Sequence, residues 1–132
     1  MYLIDTSVWI DYFRNLHNDA CKKLTRILDE HHSFGITGVI YQEILQGASH
    51  AKDFNMLKNY LSTQRFFHPR DPVLTYESAA NLFYSCRKKG ITIRSTVDCL
   101  IAQIAIENDL TLLHHDVDFN RIKLIAPQLK LA

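Results

Sequence analysis

Apolar and polar positions along the chain follow two rhythms. Tyr2-Leu3-Ile4, Ser33-Phe34-Gly35-Ile36-Thr37, Arg65-Phe66-Phe67-His68, Leu110-Thr111-Leu112-Leu113 and Leu124-Ile125 are apolar runs too short for helices. They read as buried strands, the last one ending before Pro127. Between them, apolar residues recur every three or four positions, the spacing of one helical face. Thr6 or Ser7 can cap a helix from Val8 to about Arg14, and Asn18-Asp19 a second to about Glu30. Gly38 opens a third helix that stops at Gly47, and Asp53 to Ser62 forms a fourth. Pro72 starts a long helix to Lys89, closed by Gly90. Ser95-Thr96 caps the next, Val97 to Glu107, and a short helical turn follows "HHDVDF". Strands alternating with helices predict an α/β fold with a central parallel sheet of about four or five strands, covered on both faces.

Composition narrows the class without changing the picture. The 132 residues suit one ordinary domain, and no repeat, linker or low-complexity tract divides positions 1–132. An apolar fraction of 47% with 22% charged residues belongs to soluble globular proteins. A formal charge of only +1 argues against a protein that clings to nucleic acid by bulk charge, while leaving room for a local basic rim. Cys21, Cys86 and Cys99 are odd in number and lie in helical apolar patterns, so reduced, buried thiols are expected. No Cys/His spacing fits zinc. Neither a leader pattern nor an apolar run of membrane-spanning length is present, and a cytoplasmic protein is expected.

Four acids stand where packing alone does not put them. Asp5 sits just past the first strand, at the end where open α/β sheets gather their ligands. As Asp is also a favoured N-cap, a capping role alone explains it equally well. Glu43 is four residues after Val39 and three after Ile40, inside the apolar arc of its helix, although a long side chain can snorkel out of such an arc. Asp98 is three, four and seven residues from Ile101, Ala102 and Ala105, on the apolar face of "TVDCLIAQIA". A first-turn Asp complements the helix dipole, which explains the turn but not the face. Asp116 and Asp118 follow the strand ending at Leu113, as Asp5 follows Ile4, and a local turn accounts for one of the pair.

Taken together, these acids can converge on one crevice. Carboxylates sharing a small volume stay ionised only when cations neutralise them. Oxygen donors without thiols select a hard cation, Mg2+ or Mn2+. A cluster of that kind, holding one or two ions, suits phosphodiester hydrolysis.

"LIDTSVWIDYF", the glutamate of "VIYQEILQG", "STVDCLIAQIA" and "HHDVDF" resemble the four acidic motifs of PIN-domain nucleases. Their order and the whole-chain length most resemble the VapC-type toxins of toxin–antitoxin pairs. The resemblance implies a PIN-like three-layer α/β/α fold, metal-dependent endoribonuclease activity, a VapB-like antitoxin as partner and a homodimer. It implies an acidic quartet of Asp5, Glu43, Asp98 and Asp116, with Asp118 as an auxiliary or helix-starting acid. Ser7 matches the hydroxyl position that supports such a site, with Thr6 beside it.

Other features carry two readings each. Arg87-Lys88-Lys89 and Arg94 lie ahead of Asp98 and can grip RNA phosphates, though the first three equally suit a solvated helix end. His114-His115 read as a structural or solvent-facing pair at a strand end. Ile44, Leu45, Met56, Leu57, Tyr60 and Leu61 exceed what one small sheet needs, which suggests a groove for a partner helix or a dimer contact, or ordinary core. Besides the toxin, a PIN nuclease of RNA processing without an antitoxin stays open. From other classes, a phosphotransfer domain or a non-catalytic acidic-pocket binding module stays open too.

Overall fold

A computed structural model of the protein describes residues 1–132. In chain order the elements are β1 (Tyr2–Ile4), α1 (Thr6–Phe13), α2 (Asp19–Asp29), β2 (Phe34–Thr37), α3 (Gly38–Gln46) and α4 (Ala51–Leu61), followed by β3 (Arg65–Phe67), α5 (Leu74–Lys88), α6 (Thr96–Glu107), β4 (Thr111–Leu113), α7 (Val117–Ile125) and β5 (Lys130–Leu131). The sheet runs β3-β2-β1-β4-β5 with every pair parallel. Helices α1 to α4 pack among themselves, and so do α5 to α7, giving the outer layers of a three-layer α/β/α sandwich. Right-handed crossovers produce that split, because the chain steps outward from β1 through β3 and returns across the other face to β4.

The central strands are the most apolar. Leu3, Ile4, Ile36, Leu112 and Leu113 are at most 1% exposed and belong to one core cluster with Val8, Trp9, Ile101, Phe119 and Ile122. Gly35 permits the close pairing of β2 with β3. A Cβ there would meet the Phe67 ring at 2.5 Å and the Arg65 carbonyl oxygen at 2.6 Å. Sequence-adjacent β1 and β2 are neighbours, whereas β4 joins the opposite side of β1, so the strand order reverses at β1. The carboxyl ends of β1 and β4 therefore flank the switch-point crevice in which such sheets bind ligands.

Most expected elements are present, and three readings need correction. Leu124-Ile125 is not a strand: both residues close α7, a nine-residue helix where the sequence predicts a short turn. Phe119, Ile122 and Ala126 supply a buried face at helical spacing, while Leu124 is 70% exposed. That face, together with the Asp116 cap, outweighs the β-propensity of two residues. The fifth strand is Lys130–Leu131, paired to Thr111 and Leu112 beyond Pro127. The cap of α1 is Asp5, not Thr6 or Ser7, so that helix begins two residues earlier than Val8. Likewise α5 begins at Leu74, after Asp71 Oδ1 accepts the N–H groups of Val73 and Leu74 at 2.8 and 2.7 Å.

Candidate active site: an acidic crevice at the carboxyl edge of the sheet

Asp5 leaves β1 and caps α1. Its Oδ2 accepts the Ser7 N–H at 3.0 Å and the Ser7 hydroxyl at 2.5 Å, which leaves the second oxygen free of side-chain partners. The capping and the functional readings of this residue are thus compatible. At 4% exposure, burial is the main force raising its pKa to about 6. The bonds from Ser7 work against that rise, and the charge of Glu43 adds to it. The Ser7 hydroxyl also accepts the backbone N–H of His115 at 3.0 Å, so one side chain ties the tip of β1 to the chain leaving β4.

Glu43 is carried inward by α3, whose N-cap Thr37 accepts the Ile40 N–H at 3.1 Å. The carboxylate is half-buried, and its Oε1 accepts the Thr6 hydroxyl at 2.9 Å. Thr6 and Ser7, adjacent in sequence, thereby hold two different acids.

Asp98 lies in the first turn of α6, which Ser95 caps by accepting the Val97 N–H at 3.2 Å. Half-buried, it is pushed up to about 7, first by burial and then by the charges of Asp5, Asp116, Asp118 and Glu43. All five acids of the sequence motifs therefore share one electrostatic neighbourhood. Oxygens of Asp98, Asp116 and Asp118 lie within 4.8 Å of one another, and Asp5 and Glu43 stand outside that tight group.

Asp116 caps α7, its Oδ1 accepting the Asp118 N–H at 2.9 Å. Its own N–H donates to Nδ1 of His114 at 3.2 Å, and the His114 ring packs on Phe119 with centroids 5.2 Å apart. Burial lowers the His114 pKa, which suits a neutral ring accepting at Nδ1. The histidine is structural, as a strand-end pair predicts, while His115 is exposed.

Asp118 is fully buried, which by itself opposes ionisation. The Arg94 N–H and Nε donate to its Oδ2 at 3.0 and 3.2 Å, and Arg121 Nη1 donates to its Oδ1 at 3.1 Å. These bonds and the two guanidinium charges outweigh burial and hold its pKa below the usual carboxylate range. Arg94 also reaches Asp116 Oδ1 through Nη2 at 2.8 Å. Arg121 belongs to the site although no motif contains it. Its signal is the i,i+3 spacing from Asp118, which counts only in a helix.

The donor set fits a hard divalent cation. The acids that converge on the crevice offer only carboxylate oxygen, and Asp5 and Asp98, raised first by burial and further by neighbouring carboxylates, are the groups that the charge of a bound cation would return to the ionised form. Soft ligation has no candidate. Cys99, next to Asp98 in sequence, is buried with its thiol pushed up to about 12. Arg87 lies over the rings of Phe83 and Tyr84, 6.0 Å from each, and forms no ion pair with the acids. Lys88 is exposed at the end of α5.

Residues 2–124 match the PIN-domain family. The chain is 33% identical over 127 residues to VapC ribonuclease Mb1587 of Mycobacterium bovis and to ribonuclease VapC11 of Mycobacterium tuberculosis, covering 96% of this chain and 94% of each relative. Among solved structures, VapBC2 from Rickettsia felis bound to a promoter DNA fragment matches with TM-score 0.70 and 23% identity, over 99% of this chain and 96% of that one. VapBC-1 from nontypeable Haemophilus influenzae matches with TM-score 0.74 and 19% identity over the same shares. At such identities the solved structures speak for the fold, and the family follows from the sequence matches. The chain belongs to the PIN-domain family, among the VapC ribonucleases.

Proposed function

We propose that this chain, as one domain, is a divalent-cation-dependent endoribonuclease and the toxin of a toxin–antitoxin pair. The observation that carries the reading is the convergence of Asp5, Glu43, Asp98, Asp116 and Asp118 on one crevice, where their mutual charge helps push Asp98 up to about 7. Like charge is gathered against its own repulsion where function requires it. Asp5, Glu43, Asp98 and Asp116 are the residues we assign to Mg2+ or Mn2+. Once bound, such an ion lowers the pKa of water and acts as a Lewis acid toward phosphate oxygens. The protein supplies fixed orientation. Ser7 holds Asp5, Thr6 holds Glu43, and His114 with the first turn of α7 holds Asp116. Arg94, with a side chain 63% exposed beside the acids, is the first contact we assign to an RNA phosphate, and Arg87 and Lys88 are outer ones.

The purified chain is expected to cut RNA with Mg2+ or Mn2+ and to stop on chelation. Asp5→Asn and Asp98→Asn should each slow cleavage at least about a hundredfold with circular dichroism unchanged. Transfer, ribosomal and messenger RNA all left intact in the presence of either metal would rule the reading out.

A VapB-like antitoxin is the partner we assign to the groove of about 340 Å³ between α1, α3 and α4, lined by Ile10, Phe13, Ile44, Met56 and Leu57. Met56 is 60% exposed there, and an amphipathic helix would cover it. The apolar cleft of Tyr76, Phe83, Tyr84, Val97 and Leu100 between α5 and α6 is the contact surface we assign to a homodimer. No helix is long and apolar enough to cross a membrane. Three free cysteines agree with the reducing cytoplasm in which we place the protein.

A further inference from the structure

Arg94 holds two acids with different ends of one guanidinium. Its inner end, Nε, donates to Oδ2 of buried Asp118 at 3.2 Å, and the Arg94 backbone N–H donates to the same oxygen at 3.0 Å. Its outer end, Nη2, meets Asp116 at 2.8 Å, in a side chain that is 63% exposed. Both oxygens of Asp118 are engaged, one by Arg94 and the other by Arg121 at 3.1 Å. Asp118 is therefore an anchor for cationic side chains rather than a free ligand. The bond at Asp116 is the exposed and exchangeable one.

We infer that Arg94 is a resident counter-cation of the acidic crevice, anchored on Asp118, whose guanidinium edge competes with an incoming divalent cation for Asp116. The identity of that cation rests on the nuclease reading above. While metal is absent, Arg94 orients Asp116 and neutralises part of the cluster. When metal arrives, like charge drives the outer edge off Asp116. The anchor on Asp118 keeps the guanidinium tethered at the crevice, available to a substrate phosphate. A lysine cannot do this, because one ammonium lacks the planar fork that spans two carboxylates.

The sign of the metal response separates this role from a structural one. Even at the dielectric constant of water, a unit and a double charge about 6 Å apart repel enough to change binding roughly tenfold. Calorimetric titration with Mn2+ should show Arg94→Ala binding about tenfold tighter than wild type. RNA cleavage by the same variant at saturating Mn2+ should fall about tenfold in kcat/KM, and Arg94→Lys should not restore it. A residue that merely propped up Asp116 would give weaker Mn2+ binding when removed. Unchanged or weaker binding by a folded variant overturns the inference, and Arg94→Gln carries the same comparison if the alanine variant does not fold. In the wild-type chain, Mg2+ should set the Arg94 Nη nuclei exchanging in nitrogen-15 spectra, and signals indifferent to Mg2+ count equally against it. Wild type that binds no Mn2+ and cuts no RNA brings down the nuclease reading and this one together. Wild type that cuts RNA, with Arg94→Ala binding Mn2+ no tighter, brings down this one alone.

Discussion

The hydroxyl of Ser7 donates to Asp5 Oδ2 at 2.5 Å and accepts the His115 N–H at 3.0 Å, so one small side chain spans the crevice between two strands. A hydrogen bond to a charged group contributes about 1.5–3 kcal/mol, and its loss favours the protonated acid. Ser7→Ala should therefore raise the pKa of Asp5 above its present value of about 6. The acidic limb of the cleavage profile should shift to higher pH, with kcat/KM at pH 7 falling by about tenfold. A profile that keeps its acidic limb would show that Ser7 does not tune Asp5. At this scale the sequence is informative where a residue contradicts its surroundings. Glu43 and Asp98 announce themselves because they break apolar faces, and Asp5 because it ends a buried strand. The arginine pairs stay hidden, since Arg94 and Arg121 meet Asp118 across 24 and 3 positions and neither violates a local pattern.

Elements are legible where a local rule and the packing agree. The strands β1 to β4 are short apolar runs, and helices α1 to α6 fall within a few residues of where apolar spacing or a cap places them. The fifth strand escapes because two residues, Lys130 and Leu131, carry no periodicity of their own and are recruited by β4. Leu124-Ile125 misleads for the complementary reason: its apolar pair has strand propensity, but it lies in the last turn of a capped helix. Sheet order is also beyond pattern reading, because it depends on which face each crossover takes. The close approach of β2 and β3 tests one such packing feature. An added methyl at Gly35 would stand 2.6 Å from the Arg65 carbonyl oxygen, a backbone atom that moves only with its strand. Gly35→Ala should therefore destabilise the fold by about 1–3 kcal/mol, read as a lower denaturant midpoint. Because β2 ends on Thr37, the cap of α3, the variant should also displace Glu43 and lose cleavage beyond what its stability explains. Stability equal to wild type would mean the sheet yields there freely.

The molecule as a whole keeps two carboxylates under electrostatic pressure, and folding feels it. Folded Asp5 and Asp98 have pKa values raised from 3.8 to about 6 and about 7. Between those limits the folded chain binds more protons than the unfolded one, so stability without metal falls as pH rises from about 4 to about 7. The stabilisation is complete below about pH 4 and gone above about pH 7. Asp118 opposes this only in acid, because its depressed pKa gives stability that is present at neutral pH and lost as pH falls below the usual carboxylate range. Asp98 is only half-buried and its shift is screened, so between pH 5 and pH 8 the pair together changes stability by on the order of 2–3 kcal/mol. Metal-free protein should therefore melt several degrees higher at pH 5 than at pH 8, on the order of 5–10 °C. Saturating Mn2+ should raise Tm far more at pH 8 than at pH 5, because binding at low pH must first expel the protons. The double variant Asp5→Asn with Asp98→Asn removes one buried and one half-buried charge and their share of the repulsion. It should exceed wild type in Tm at pH 8 without metal, lose most of the pH slope, and gain nothing from Mn2+. If the double variant instead retains the wild-type slope, the pressure lies elsewhere among the charges. If it melts below wild type at pH 8, these acids support the metal-free fold and are not held at a cost to it.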